Sequence, residues 1–210
     1  MISNLGLRFC FVVLLLATTP ARAADIDSQL NEARDTFLKG VDGDKRAVRD
    51  ATREFRSMSQ GHPDDPVYMA YLGASLTLQG RDAPNGIEKQ RLTEEGLRKV
   101  DQALGLLSVN DQLPSSRRLE TLLVAANSFI HIPAFFNRYE RGKRLLHELL
   151  DHPDFNEMPA GFKAAAFYAA ALVARGNGDE KEYHRYLTLA ADTDPQGHDG
   201  RAARGLLENR

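Results

Sequence analysis

Residues 161–195 read GFKAAAFYAAALVARGNGDEKEYHRYLTLAADTDP, and their spacing decides the fold. An alanine-rich run from about Gly161 to Arg175 shows no alternation of apolar and polar residues. After Gly176-Asn177-Gly178, Tyr183, Tyr186, Leu187 and Ala190 recur at three and four positions. That recurrence is the period of one helix face. The stretch therefore predicts two helices joined by a glycine turn and closed at Asp194-Pro195, where proline cannot continue a helix.

The same grammar runs through the chain. Upstream, Ile26, Leu30, Ala33, Phe37, Leu38 and Val41 form one stripe, and Ala47, Val48, Ala51 and Phe55 form a second beyond Gly43. Asp65-Pro66 pairs a capping acid with proline at the first helical position and opens a third helix expected to end at Gly80. A polar stretch with Pro84, Asn85 and Gly86 leads to a fourth helix carrying Leu92, Leu97, Val100, Ala103, Leu104 and Leu107. Helices are expected from about Ser116 to Ile130, about Asn137 to Leu150 and, last, about Gly200 to Glu208. No stretch alternates with the period of a strand, so the fold class is all-α.

Glycine at the turn within a pair and Asp-Pro at its end resemble the tetratricopeptide repeat, a 34-residue helical hairpin. With Pro195 as the terminal proline, Gly178 falls at the turn, Phe167 at the large aromatic position, Ala170-Ala171 at the Leu-Gly pair, and Tyr183, Leu187 and Ala190 at the packing positions of the second helix. Tyr183 departs from the pattern, which has a small residue there. Tyr71-Leu72-Gly73 with Gly96, Val100, Ala103 and Leu104 is similar, with 11 extra residues between Gly80 and Gly96. A third unit is similar at Gly142, Leu146 and Leu149, although Ile132-Pro133-Ala134-Phe135-Phe136 interrupts its turn.

The resemblance implies a right-handed superhelix of about four antiparallel pairs over residues 24–210, with the last helix as a cap. It also implies that first-helix residues line a concave groove where ligands bind. In that frame Thr77, Asn127, Tyr168 and Arg175 point into the groove with His131 at its edge, so these five residues are the expected partner-binding set. A bulky residue at Gly73 would overpack the contact between helices.

The first 23 residues have the form of a secretory signal: Arg8, a nine-residue apolar core from Phe9 to Ala17, and Ala21-Arg22-Ala23 as a small-x-small cleavage site. Nine helical residues cannot cross a hydrocarbon layer of about 30 Å. Cleavage would remove Arg8, Arg22 and the only cysteine, Cys10. The remainder would have 25 basic and 29 acidic residues, so the formal charge would move from -2 to -4. A thiol-free chain suits an oxidising compartment, and the expected location is the periplasm with no stable membrane insertion. Interspersed charges with an acidic balance argue against nucleic acid as a partner.

Catalytic and metal motifs are sparse. His147-Glu148 has its next histidine at His152, five positions on and about 140° around a helix, whereas zinc ligation needs two histidines on one face. Asp42-Gly43-Asp44 lacks the further oxygen ligands of a calcium loop. Neither a nucleophile elbow, a phosphate loop nor a dinucleotide fingerprint occurs. The expectation is a non-enzymatic protein without metal or cofactor that holds a protein or peptide segment. The alternative is a small-molecule or glycan binder using residues 81–95 and 132–136 as lids. Arg138, Arg141, Lys143 and Arg144 also make the sixth helix locally basic.

Overall fold

The computed structural model describes residues 20–208. Among these residues the chain forms nine α-helices and no strand. They are α1 (Pro20–Val41), α2 (Lys45–Gly61), α3 (Pro66–Asp82), α4 (Gly86–Val109), α5 (Ser115–Ile130), α6 (Tyr139–Leu150), α7 (Ala160–Gly176), α8 (Glu180–Thr193) and α9 (His198–Glu208), with 3-10 turns at Ala134–Phe136 and Pro153–Glu157. Of the secretory-signal segment, residues 1–19 lie outside the described residues, and Pro20 to Ala23 begin α1. No described helix is long and apolar enough to cross a membrane.

Consecutive helices pack as antiparallel pairs, α1 with α2, α3 with α4, α5 with α6 and α7 with α8, and α9 covers α7 and α8. Each first helix also touches the next first helix, giving the series α1, α3, α5, α7, α9. Local chemistry sets the boundaries. Asp44 caps α2 by accepting from the amides of Arg46 at 2.8 Å and Ala47 at 3.0 Å. Asp65, Asn85 and Asp179 cap α3, α4 and α8 in the same way. Gly43 and Gly178 occupy the pair turns at φ 106° and 76°, a region open to glycine without steric cost.

Two boundary expectations are corrected. Gly80 does not end α3, which continues to Asp82. A Cβ at Gly80 would lie 2.5 Å from Thr93 Oγ1, so glycine here serves close helix approach, and the stop comes from the Ala83-Pro84 step. The polar stretch read as leading into the fourth helix is itself largely part of it. All but Ala83 to Asn85 is helical, with α4 beginning at Gly86 and its first turns held by Arg91 bridging Glu88 and Glu95.

Small residues define the contacts within pairs. A Cβ at Gly73 would lie 2.6 Å from the Gly96 carbonyl, and one at Gly96 would lie 2.5 Å from the Gly73 carbonyl. The α3 and α4 backbones therefore touch directly. In the next pair a Cβ at Gly142 would meet the Ala126 carbonyl at 3.1 Å. One apolar cluster joins Leu119, Leu122, Leu123 and Ala126 to Leu146, Leu149, Phe155 and the α7 residues Ala166, Ala169, Ala170 and Val173. A second joins Leu30, Ala33, Ala51, Phe55, Tyr68, Leu72 and Leu76 across α1, α2 and α3.

Candidate functional site

The first helices bring together a polar cluster set in apolar surroundings. Arg34 on α1 binds Glu120 on α5 through two nitrogens, Nε to Oε1 at 2.7 Å and Nη2 to Oε2 at 2.5 Å. Tyr71 on α3 donates its hydroxyl to the same Oε1 at 3.0 Å. The Glu120 side chain is 11% exposed and that of Arg34 31%, so the carboxylate is enclosed and the guanidinium reaches the surface. Tyr71 stacks on Phe55 with ring centres 4.6 Å apart and meets the edge of Phe37 at 5.2 Å. Burial, reinforced by the Glu120 charge, holds the Tyr71 phenol well above its usual range. The Arg34 guanidinium is lowered by burial but raised more by Glu120, and stays charged. The arrangement ties three first helices together, and the guanidinium is fully engaged, with Nη1 donating to Asn31 Oδ1 at 2.7 Å.

Farther along the series, Tyr168 on α7 is half-buried against Ala171, Tyr183 and Ala203. Burial raises its phenol, the Asp199 charge adds to this and Arg175 opposes it. Arg175 is exposed and lies over the Tyr183 ring, 5.5 Å from its centre. Asn127 is half-buried on α5; its carbonyl accepts the His131 amide at 3.2 Å and contacts His131 Nδ1 at 2.9 Å. Thr77 donates to the Ala74 carbonyl at 2.7 Å, and its methyl packs where a Cβ at Gly96 would lie. The structure thus groups Tyr168 with Arg175, and Asn127 with His131. Thr77 belongs to the α3–α4 contact, and the five residues do not form one constellation.

Sequence reasoning missed Arg34 and Glu120, which lie 86 positions apart. The available signal was an acid at position 120 within the run Leu119 to Ala126, where every neighbour is buried. It also missed the contact between Asp42 in the α1–α2 turn and His198 at the start of α9, 156 positions apart and 2.8 Å long. His198 also contacts Asp199 at 3.3 Å, and the Asp199 and Asp42 carboxylates raise its pKa to about 9 despite partial burial.

The remaining motif residues have local partners. His152 accepts the Asp154 amide at 3.2 Å as the cap of a 3-10 turn, and His147 is exposed on α6. Two shallow clefts, of about 140 and 210 Å³, lie beside Met58, His62 and Tyr68 and beside Lys45, Gln79 and Leu92, and none of the five expected residues lines them. Among the described residues, no group of three or more His, Cys, Asp or Glu is placed to hold a metal ion. No protein-family model matches the chain, and neither does any curated protein or solved structure.

Proposed function

We propose that the protein is a tetratricopeptide-like interaction module of the periplasm, without catalytic activity, that holds a protein or peptide segment along a concave groove of its superhelix. The observation carrying this reading is the unbroken series of contacts from α1 through α3, α5 and α7 to α9. A series of first helices offers a partner one surface spanning several repeats, as solenoids do. Along it, Tyr168 and Asn127 would offer polar contacts and Ile130 and Leu172 apolar ones, a mixture suited to an extended peptide or an amphipathic helix.

The test is affinity capture from envelope extract with the immobilised protein beside an Asn127→Ala/Tyr168→Ala double variant, with proteins identified by mass spectrometry. Thermal melting first checks that the variant is folded. The expected result is one protein enriched by the native form and lost with the variant. Equal capture by both would remove the groove assignment, and no enrichment would remove the interaction reading.

A further inference from the structure

A stack in which each hairpin touches only its neighbours leaves its two ends apart. Here the ends meet. The first helices touch in the order α1, α3, α5, α7, α9, and His198 Nε2 at the start of α9 lies 2.8 Å from Asp42 Oδ1 in the α1–α2 turn. The contacts therefore run in a closed circuit, with this bond linking the last element to the first hairpin. Each half of the link has a seated backbone. Arg81 on α3 donates to the Val41 carbonyl at 3.1 Å and the Gly40 carbonyl at 2.9 Å, which holds the end of α1 beside Asp42. On the other side the Gly197 amide donates to the Asp194 carboxylate at 3.0 Å, and a Cβ at Gly200 would strike the Asp194 carbonyl, so the start of α9 rests directly on the end of α8. Widening the gap between the two backbones therefore moves α9 and the fourth pair against the first hairpin.

Two carboxylates face the imidazole, Asp42 at Nε2 and Asp199 at 3.3 Å from Nδ1, and they keep it charged at neutral pH. Asp199 also acts on the Tyr168 phenol of α7, where Arg175 opposes it, so the link adjoins the expected contact residues of the fourth pair. The neighbouring charges have their own partners: Asp44 accepts the Arg46 and Ala47 amides, and Arg201 donates to the Gln196 carbonyl. Asp42 and Asp199 are thus matched by His198 and Arg175, and the closed setting carries no net repulsion. The bond is also weak, because Asp42 is 63% exposed. A pair of this kind biases two settings by only a few-fold and breaks at little cost.

We infer that the Asp42–His198 bond is a clasp: it holds the helical array closed, opens to admit a segment to the first-helix face, and closes behind it. The admission step rests on the interaction reading given above; the clasp itself does not. Spin labels at Lys39→Cys and Arg204→Cys, exposed on α1 and α9, report the gap by double electron–electron resonance in a chain carrying Cys10→Ser.

The expected result is a short distance with a minor longer one, whose ratio to the short one rises roughly fivefold in Asp42→Asn and in His198→Asn, with cooperative melting retained. Asp35→Asn, which removes an exposed carboxylate of α1 two turns before the link, leaves the distribution as it was. Unchanged distances in both clasp variants overturn the clasp, as does an equal change with Asp35→Asn. For admission, Asp42→Cys/His198→Cys is joined by a short bismaleimide, again with Cys10→Ser, before exposure to envelope extract. The expected result is that the joined form loses capture of the protein that the same variant retains unjoined. Equal retention overturns the admission step and leaves the interaction reading standing. No protein retained by either form overturns the interaction reading and the admission step with it, while the distances still decide the clasp.

Discussion

Replacing Gly73 with alanine tests the closest contact in the fold. The added methyl would lie 2.6 Å from the Gly96 carbonyl oxygen, 2.7 Å from Val100 Cγ2 and 2.8 Å from the Val100 amide nitrogen. Two of these atoms are backbone of α4 and cannot turn aside, so the helices must part by several tenths of an ångström. Overpacking of this kind costs up to about 3 kcal/mol, while alanine gains about 1 kcal/mol over glycine in a helix interior. The net expectation is a loss of about 2 kcal/mol, a fall in Tm of roughly 4–8 °C for a domain of this size. Gly105 on α4 supplies the control, because a Cβ there meets nothing within 4 Å and the residue is exposed. Gly105→Ala should raise stability by up to about 1 kcal/mol. Thermal and urea melts of both variants give the comparison. If Gly73→Ala is neutral or stabilising like Gly105→Ala, α3 and α4 do not meet backbone to backbone.

Glu120→Ala leaves the partly exposed Arg34 and the Tyr71 hydroxyl without their shared acceptor and should cost about 1–3 kcal/mol in urea melts; Arg34→Met/Tyr71→Phe/Glu120→Leu, which leaves no polar partner behind, should recover most of it. His198 binds its proton more tightly folded than unfolded, with a pKa of about 9 against 6.5. Its contribution is therefore full below about pH 6.5 and disappears as pH rises through about 9. With Asp42 63% exposed, that contribution is no more than about 1 kcal/mol. His198→Asn should flatten Tm against pH over this window, and an imidazole titrating near its ordinary value by NMR would refute the contact. Phe155→Ala removes a ring 5% exposed that fills the space between α6 and α7, and should cost about 3–5 kcal/mol by denaturant melts.

The helical pairs were legible because their signals are local: apolar residues at three and four, capping acids such as Asp65, and glycine at Gly43 and Gly178. The small-residue contacts were legible too, since Gly73, Gly96 and Gly142 stand where a hairpin repeat has small residues. The start of α4 at Gly86 was not marked in the sequence, because its first turns are solvated and held by the Glu88–Arg91–Glu95 pairs rather than by an apolar stripe. Gly80 was misread because a glycine before a polar stretch looks the same whether it stops a helix or admits a neighbour. The Arg34–Tyr71–Glu120 cluster was not legible. It joins three helices distant in sequence, and Tyr71 stood only as the residue before Leu72-Gly73 in the resemblance to the repeat.

The joints between hairpins differ in kind, and this bears on binding. The first helix reaches the third pair through long polar side chains, Arg34 to Glu120, so α1, α3 and α5 are held by directed bonds at their common face. From the third pair to the fourth, helix-to-helix contact is sparser, and the interval is filled by Phe155 from a 3-10 turn with Phe162 and Phe167 around it. Aromatic filling resists separation but has little directional preference, and the directed contact that spans this joint is His198 on α9 to Asp42 in the α1–α2 turn at 2.8 Å. Asn127 lies on α5 and Tyr168 on α7, either side of that joint. A segment contacting both would brace the third pair against the fourth, in addition to the His198–Asp42 contact that ties α9 to the turn of the first pair.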